Sequence, residues 1–177
     1  MTSAIHIING LNLESKKLVP LVQKVERVFD VATDILPSSL PIDRAFDQSR
    51  RQYNSTALLA LLINGHPPPD VKIAFIVDVD LYIPVLTFVF GEAQLNGTAA
   101  VVSTHRLHHQ FYGLPRDEER EMTRLEKEVI HELGHTFGLY HCRQFDCVMH
   151  SSTYVEEIDL KKAELCHSCS ESLSQIT

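Results

Sequence analysis

Three histidines and a glutamate lie at the spacing that a catalytic zinc requires. The segment from His131 to Cys142 is HELGHTFGLYHC. His131 and His135 are four residues apart, so on an α-helix both rings leave the same face and two ring nitrogens can bind one metal. Glu132 is placed to accept a proton from a zinc-bound water as general base. The segment therefore predicts a hydrolytic zinc centre.

A glycine between the second and third histidines predicts how His141 reaches the same metal. Gly138 has no Cβ, so it can adopt the left-handed conformation that ends a helix and turns the chain back. His141 would then bind from a loop and leave a fourth position for water, as in catalytic rather than structural zinc sites. The pattern H-E-x-x-H also occurs on ordinary helices with solvated or packed histidines. Gly138 and His141 extend it to the metzincin form of the motif and favour the catalytic zinc.

All four cysteines lie in the last 36 residues, as the pairs Cys142 with Cys147 and Cys166 with Cys169. Two disulfides or a redox pair are the alternatives to a metal site. The chain starts without a pattern resembling a signal peptide, which favours a cytoplasmic protein and disfavours disulfides. A redox C-x-x-C would need a βαβ setting that the neighbouring residues lack. The pattern predicts a structural zinc with four thiolates, which would stabilise a C-terminal segment poor in apolar residues.

Composition indicates one globular domain. The chain has 177 residues, 44% of them hydrophobic, and a formal net charge of −7. With no basic stripe to offset that charge, a nucleic-acid partner is not expected. No apolar run approaches the roughly 18 residues of a transmembrane helix, so we expect no membrane partner either.

Hydrophobic periodicity predicts alternating strands and helices around the zinc motif. Strands are predicted at residues 4–8, 31–36, 71–77, 85–90 and 99–102, and helices at 13–29 and 47–63. The active helix is expected to begin near Pro115, with Asp117 as N-cap and acidic residues in its first turn. This order indicates an α/β fold with a mostly parallel, mixed sheet.

The motif, followed by Cys147, Met149 and the Cys166/Cys169 pair, closely resembles the archaemetzincins, a metzincin branch of zinc peptidases. The specific part covers residues 128–169. The resemblance implies two zinc ions per chain, a catalytic one on His131, His135 and His141 and a structural one on Cys142, Cys147, Cys166 and Cys169. It implies Glu132 as general base and places Met149 in a tight Met-turn beneath the imidazoles.

The resemblance also implies a metzincin-like α/β (α+β) architecture. A mixed, twisted N-terminal sheet would carry backing and active-site helices, and a small zinc-stapled subdomain would follow. We expect a single catalytic domain over residues 1–177. Its N-terminal lobe would be 1–138, with the active-site helix at about 116–137, and its C-terminal lobe 139–177.

The predicted activity is hydrolysis of peptide bonds through a Glu-activated, zinc-bound water, on a peptide or protein substrate. The substrate would lie extended along an edge strand, for which residues 85–90 are the candidate. Two other functions stay open: a zinc-binding protein of this fold that binds peptides with little proteolysis, and a redox protein using Cys166 and Cys169. Endopeptidase versus aminopeptidase mode, the oligomeric state and a catalytic part for Tyr154 also stay open.

The remaining histidines are predicted to be bystanders. His105, His108 and His109 cluster before the active helix, but no cysteine or carboxylate stands at ligand spacing, so a solvated loop is expected. His150 and His167 neighbour proposed ligands. The others, His6 and His66, are expected in a strand and a loop.

Overall fold

A five-stranded sheet forms the centre of the fold in a computed structural model that describes residues 2–11, 13–65 and 67–176. The strands are β1 (Ala4–Asn9), β2 (Thr33–Pro37), β3 (Phe46–Asp47), β4 (Gln52–Asn54), β5 (Val71–Val77), β6 (Leu81–Tyr82), β7 (Gly91–Ala93) and β8 (Ala99–Ser103). The α-helices are α1 (Ser15–Phe29), α2 (Ser55–Asn64), α3 (Glu118–Thr136), α4 (Val155–Leu160) and α5 (His167–Ile176).

The main sheet has the order β2–β1–β5–β8–β7, and the small sheet has the order β3–β4–β6. Strands β2, β1, β5 and β8 are parallel, whereas β7 pairs antiparallel with β8 at one edge. The predicted mixed, mostly parallel α/β sheet is confirmed.

Helices cover both faces of the main sheet. On β5, Ala74 and Ile76 point into the core shared with α1 and α3, whereas Ile73 and Phe75 point into the core shared with α2. A strand buried on both faces has a continuous run of apolar residues, which is what residues 73–77 show.

The helix predicted at 47–63 begins only at Ser55, and the first part of that prediction is wrong. The Asp47 carboxylate accepts hydrogen bonds from the backbone N–H groups of Ser49 (2.8 Å) and Arg50 (3.1 Å), which forms a turn between β3 and β4. Asn54 then caps α2 by accepting from the backbone N–H of Ala57 at 3.0 Å. Side chains that compete for the backbone delay the helix by two turns.

The strand predicted at 85–90 is also wrong. The segment is a turn that follows Pro84, and Val85 at its tip is 84% exposed. Side chains hold part of its backbone, since Arg50 donates to the carbonyl of Leu86 (3.0 Å) and Gln52 to that of Thr87 (2.9 Å). Val89 forms an isolated antiparallel bridge with Leu81. The edge strand of the main sheet is therefore β7, immediately after this segment.

Helix α3 carries the zinc motif to the sheet. Asp117 is its N-cap, as predicted, and accepts from the backbone N–H of Arg120 at 3.0 Å. Leu125, Val129 and Leu133 are buried on the face that packs against the sheet. Because this face is packed against the sheet, the helix cannot slide or rotate, and the positions of the residues on its other faces are fixed.

Residues 139–176 contribute side chains to the same core. Val148, Met149, Ile158 and Leu173 are buried in one cluster with residues of α1, α3 and the main sheet. None of the helices in the described part of the chain has the length and hydrophobicity to cross a membrane.

Candidate metal centres and active site

Helix α3 ends at a glycine that reverses the chain toward the histidines. Gly138 has φ +96°, the left-handed conformation predicted for it. Its N–H donates to the carbonyl of His135 (2.9 Å), and the N–H of Leu139 donates to that of Gly134 (3.0 Å). These two bonds form a Schellman motif, which stops the helix and sends the next residues back along it.

The three motif histidines come together at this reversal. The candidate ligand atoms of His131, His135 and His141 all lie within 4.8 Å of one another. The Nε2 atoms of His131 and His135 are 3.2 Å apart. Two nitrogens bound to zinc at 2.0–2.1 Å with tetrahedral angles would be about 3.3 Å apart. The observed spacing therefore fits a zinc ion held by these rings.

Hydrogen bonds to backbone carbonyls orient two of the rings. Nδ1 of His131 lies 2.8 Å from the carbonyl of Val148, and Nδ1 of His135 lies 2.7 Å from that of Leu139. A carbonyl only accepts, so each Nδ1 carries the proton and each Nε2 keeps its lone pair for a metal.

The electrostatic environment keeps the three rings neutral. Burial lowers the pKa of His131 well below 6.5 and also lowers the pKa values of His135 and His141, and the charge of Lys161 acts in the same direction. A neutral imidazole is the form that binds metal ions.

Glu132 lies beside these rings and is nearly buried, at 6% exposure. From protein groups alone, burial raises its pKa well above 4.5, and Glu128 raises it further. A bound cation would act in the opposite direction. Among the described residues, none donates a hydrogen bond to the Glu132 carboxylate.

A cleft of about 310 Å³ opens over Glu132. Residues 86–91 form one wall, and residues 151–153 form the other. Glu128, Glu132, His131 and His141 also line it. The cleft therefore gives a substrate access to the carboxylate and to the histidines.

A buried ion pair beside the cleft was not predicted from the sequence. Nζ of Lys161 lies 3.0 Å from Oε1 of Glu128, and both side chains are under 5% exposed. Nζ also donates to the carbonyl of His150 at 3.1 Å. The pair thus connects α3 to the segment after Met149. The two residues are 33 positions apart, so no local pattern links them.

Met149 is fully buried, as predicted. A Cβ built on Gly134, between His131 and His135, would overlap the Met149 sulfur. The methionine therefore packs directly under the turn of α3 that carries the two histidines. In the sequence, Gly134 was the signal for this close contact. A glycine inside a helix is less favourable than alanine by about 1 kcal/mol, which suggests that a larger side chain would not fit there.

The four cysteines form a second cluster adjoining the first. Their sulfurs all lie within 4.8 Å of one another. Cys142 and Cys166 sulfurs are 3.7 Å apart, and those of Cys147 and Cys169 are 3.8 Å apart. Disulfide sulfurs are bonded at about 2.05 Å, whereas four sulfurs around a tetrahedral zinc are about 3.8 Å apart. The cluster fits a metal and not two disulfides.

The other histidines lie outside both clusters. His109 is 8% exposed, so the solvated loop expected there is wrong for this residue. His108 is half-buried because its two ring nitrogens lie 3.1 Å from carboxylate oxygens of Asp78 and Glu121. The ring of His105 packs edge-on against Phe111.

Of the four other histidines predicted to be bystanders, three are placed and one is not. Nδ1 of His150 lies 2.7 Å from the carbonyl of Ser151. His6 lies in β1, and the side chain of His167 is 89% exposed. His66 falls outside the described residues. Tyr154 caps α4 and is 64% exposed.

Comparison with known proteins places this chain among zinc peptidases. The profile of Peptidase family M54 matches residues 24–175. An archaemetzincin from Methanocaldococcus jannaschii is 39% identical over 170 residues, covering 96% of this chain and 90% of the relative. A zinc-dependent peptidase structure from Methanocorpusculum labreanum superposes with a TM-score of 0.87 at 29% identity, covering 96% of this chain and 99% of that one. The archaemetzincin structure from Methanopyrus kandleri gives 0.84 at 33% identity, covering 99% and 95%.

Proposed function

Because the chain belongs to peptidase family M54, the archaemetzincins, and is thus a zinc metallopeptidase, we propose that it hydrolyses peptide bonds with Glu132 as general base. His131, His135 and His141 would hold the catalytic zinc. The observation that carries the proposal is the convergence of three neutral imidazoles beside a buried carboxylate in an open cleft.

Bound in this position, zinc would supply a Lewis acid that polarises the scissile carbonyl and acidifies water. Glu132 accepts the proton of the attacking water and delivers it to the nitrogen of the leaving amine. Val148 and Leu139 hold the tautomers of two histidine ligands through their carbonyls. Met149 would be the methionine of the Met-turn and would lie beneath those ligands.

The substrate would add as a further strand along the outer edge of β7. Backbone groups of Phe90 and Gln94 bond to β8. Because antiparallel pairing alternates along a strand, the N–H and C=O groups of Gly91 and Ala93 point outward. An extended peptide can pair with them and present one of its bonds to Glu132. The edge proposed for the peptide is therefore β7 and not residues 85–90.

A structural zinc would be held by Cys142, Cys147, Cys166 and Cys169. Burial raises the pKa of the Cys147 and Cys169 thiols, so a cation is needed to stabilise their ionised form. The sulfur spacing supports this assignment and a reducing compartment such as the cytoplasm. Purified protein is expected to carry two zinc ions per chain by elemental analysis. A content of one zinc ion per chain would show that one of the two proposed zinc sites is wrong.

The partner proposed is a peptide or protein, and the net charge of −7 argues against nucleic acid. We propose one catalytic domain with lobes at residues 1–138 and 139–177. The cleft would lie between residues contributed by the two lobes.

Replacing Glu132 by alanine tests the mechanism. Zinc content is expected to stay unchanged, because the carboxylate is not a ligand, and kcat is expected to fall by about 100- to 10,000-fold. The readouts are elemental analysis and turnover on a diverse peptide mixture. Glu119→Ala, on an exposed position of the same helix, is the matched control. Normal turnover by the Glu132 variant would show that the mechanism is wrong.

A further inference from the structure

Packing against the neighbouring strand limits where the Glu132 carboxylate can lie. None of the described residues donates a hydrogen bond to it, although the group is only 6% exposed. A flexible side chain of this length stays in one place only if neighbouring atoms leave it no other room. One neighbouring residue therefore restricts the conformations open to the Glu132 side chain.

Gly91 is that neighbour. A Cβ built on Gly91 would lie 2.7 Å from Cγ and 2.7 Å from Oε1 of Glu132, both shorter than a van der Waals contact. The carboxylate and its methylene therefore rest directly against the backbone of β7. Any side chain at residue 91 would occupy the place that Glu132 now fills.

The backbone of β7 has little freedom to move away. Gly91 pairs with Val102, and the Phe90 carbonyl accepts from the N–H of Ser103 at 2.8 Å. On the next residue, the Glu92 carboxylate accepts hydrogen bonds from the hydroxyls of Ser55 and Thr56 at the start of α2. The strand is fixed on both sides of Gly91, so an added side chain would displace Glu132, in addition to crowding the Val101 carbonyl of β8.

We infer that Gly91 is a positioning residue for the reaction: its missing side chain creates the space that holds the Glu132 carboxylate at the edge strand. The inference rests on the proposed role of Glu132. It also explains why β7 begins with a glycine where it meets the cleft, although glycine has no side chain to pack in a strand.

Gly91→Ala is the first test. The kcat is expected to fall about 10- to 100-fold, since a shift of about 1 Å in a catalytic group has effects of that size. KM and zinc content are expected to change less than twofold. Gly65→Ala adds the same Cβ at the C-cap of α2, outside the cleft lining, and should leave kcat within twofold.

A stability cycle separates this role from a purely structural one, because the added Cβ would also lie 2.8 Å from the carbonyl of Val101. Gly91→Ala is made with Glu132 present and with Glu132→Ala, and thermal unfolding is measured for all four proteins. If Glu132 is the group displaced, Gly91→Ala lowers Tm by several degrees in the first background and by much less in the second, where the truncated side chain leaves room.

Equal losses of Tm in both backgrounds, or a single variant with normal kcat, would overturn the inference. A single variant that does not fold, together with a double variant that does, supports it. The proposed mechanism stands or falls separately: it fails if Glu132→Ala retains turnover, whereas the role of Gly91 fails if Glu132→Ala is inactive and Gly91→Ala is not.

Discussion

At the scale of single residues, the candidate active site depends on backbone atoms as much as on side chains. The carbonyls of Val148 and Leu139 accept hydrogen bonds from Nδ1 of His131 and His135 and so determine the tautomers of these two rings. Gly134 leaves room for the Met149 sulfur under the same turn of helix. The candidate ligands His131 and His135 are therefore positioned by backbone carbonyls and by a glycine, and not by the side chains of those neighbours.

The Glu128–Lys161 pair gives a prediction at this scale. Lys161→Met leaves the Glu128 carboxylate buried without a cation, and this is expected to lower the free energy of unfolding by about 3–5 kcal/mol. The double variant Lys161→Met with Glu128→Leu should recover most of that loss, since neither charge then remains. Urea unfolding measures both values. If the single variant is as stable as the wild type, the pair does not connect α3 to the following segment as described.

At the scale of elements, helices α1 and α3, most of α2 and the parallel strands of the main sheet could be predicted from the sequence, whereas α4, α5 and the segments held by side chains were not. Residues 71–77 and α3 follow simple apolar patterns, and the Asp117 cap is local. The turn at residues 85–90 depends on Arg50 and Gln52, more than thirty residues earlier. No pattern within the segment reveals such a contact, so its apolar residues wrongly indicated a strand.

The same distinction holds for the candidate site: residues in short motifs could be predicted, and residues whose role depends on contacts far along the chain could not. The histidine ligands, Glu132 and the cysteines lie in short motifs whose spacing follows from helix and turn geometry. Gly91 and Lys161 matter because of residues 41 and 33 positions away. Those contacts exist only once α3, β7 and α4 have packed.

A second prediction concerns the link between α3 and α4. The Arg124 guanidinium donates to both carboxylate oxygens of Asp159, at 2.8 and 2.7 Å. Burial alone would raise the pKa of Asp159, but the hydrogen bonds from Arg124 together with the charges of Arg124, Arg120 and Lys127 outweigh it, so the pKa lies below its usual value of 3.8. A lowered carboxyl pKa stabilises the fold above the unfolded value of about 3.9 and loses this effect as the pH falls through the folded value.

Asp159→Asn should therefore be less stable than the wild type at pH 7, and the difference should shrink at pH 3 and below. Urea unfolding at several pH values measures this. Asp146→Asn is the control, because Asp146 pairs with the exposed Lys162 on the surface and should have a small effect. A difference between the Asp159 variant and the wild type that is constant with pH would contradict the account.

At the scale of the whole molecule, the histidine cluster and the cysteine cluster are joined by a single peptide bond. His141 belongs to the first cluster and Cys142 to the second. The N–H of Cys142 also donates to the carbonyl of Met149 at 2.9 Å. The loop that delivers the third histidine is thus fastened by the cysteine cluster and by the Met149 segment together.

Cys142→Ser is expected to weaken both centres. The proposed structural zinc would lose a ligand and the loop with His141 would loosen, so zinc content and kcat/KM should fall together. Elemental analysis and turnover measure the two effects. Cys169→Ser removes a ligand from α5 and should lower the structural zinc with a smaller effect on turnover. Unchanged zinc content and activity in Cys142→Ser would contradict the coupling.

The shortness of β7 limits how firmly a peptide can be held. Gly91 and Ala93 offer four outward backbone groups, and each hydrogen bond contributes about 0.5–1.5 kcal/mol. Pairing alone therefore gives about 2–6 kcal/mol, close to millimolar affinity at its midpoint. After cleavage, each product keeps only part of these bonds and leaves quickly. We therefore expect turnover to be limited by the chemical step and not by release of products.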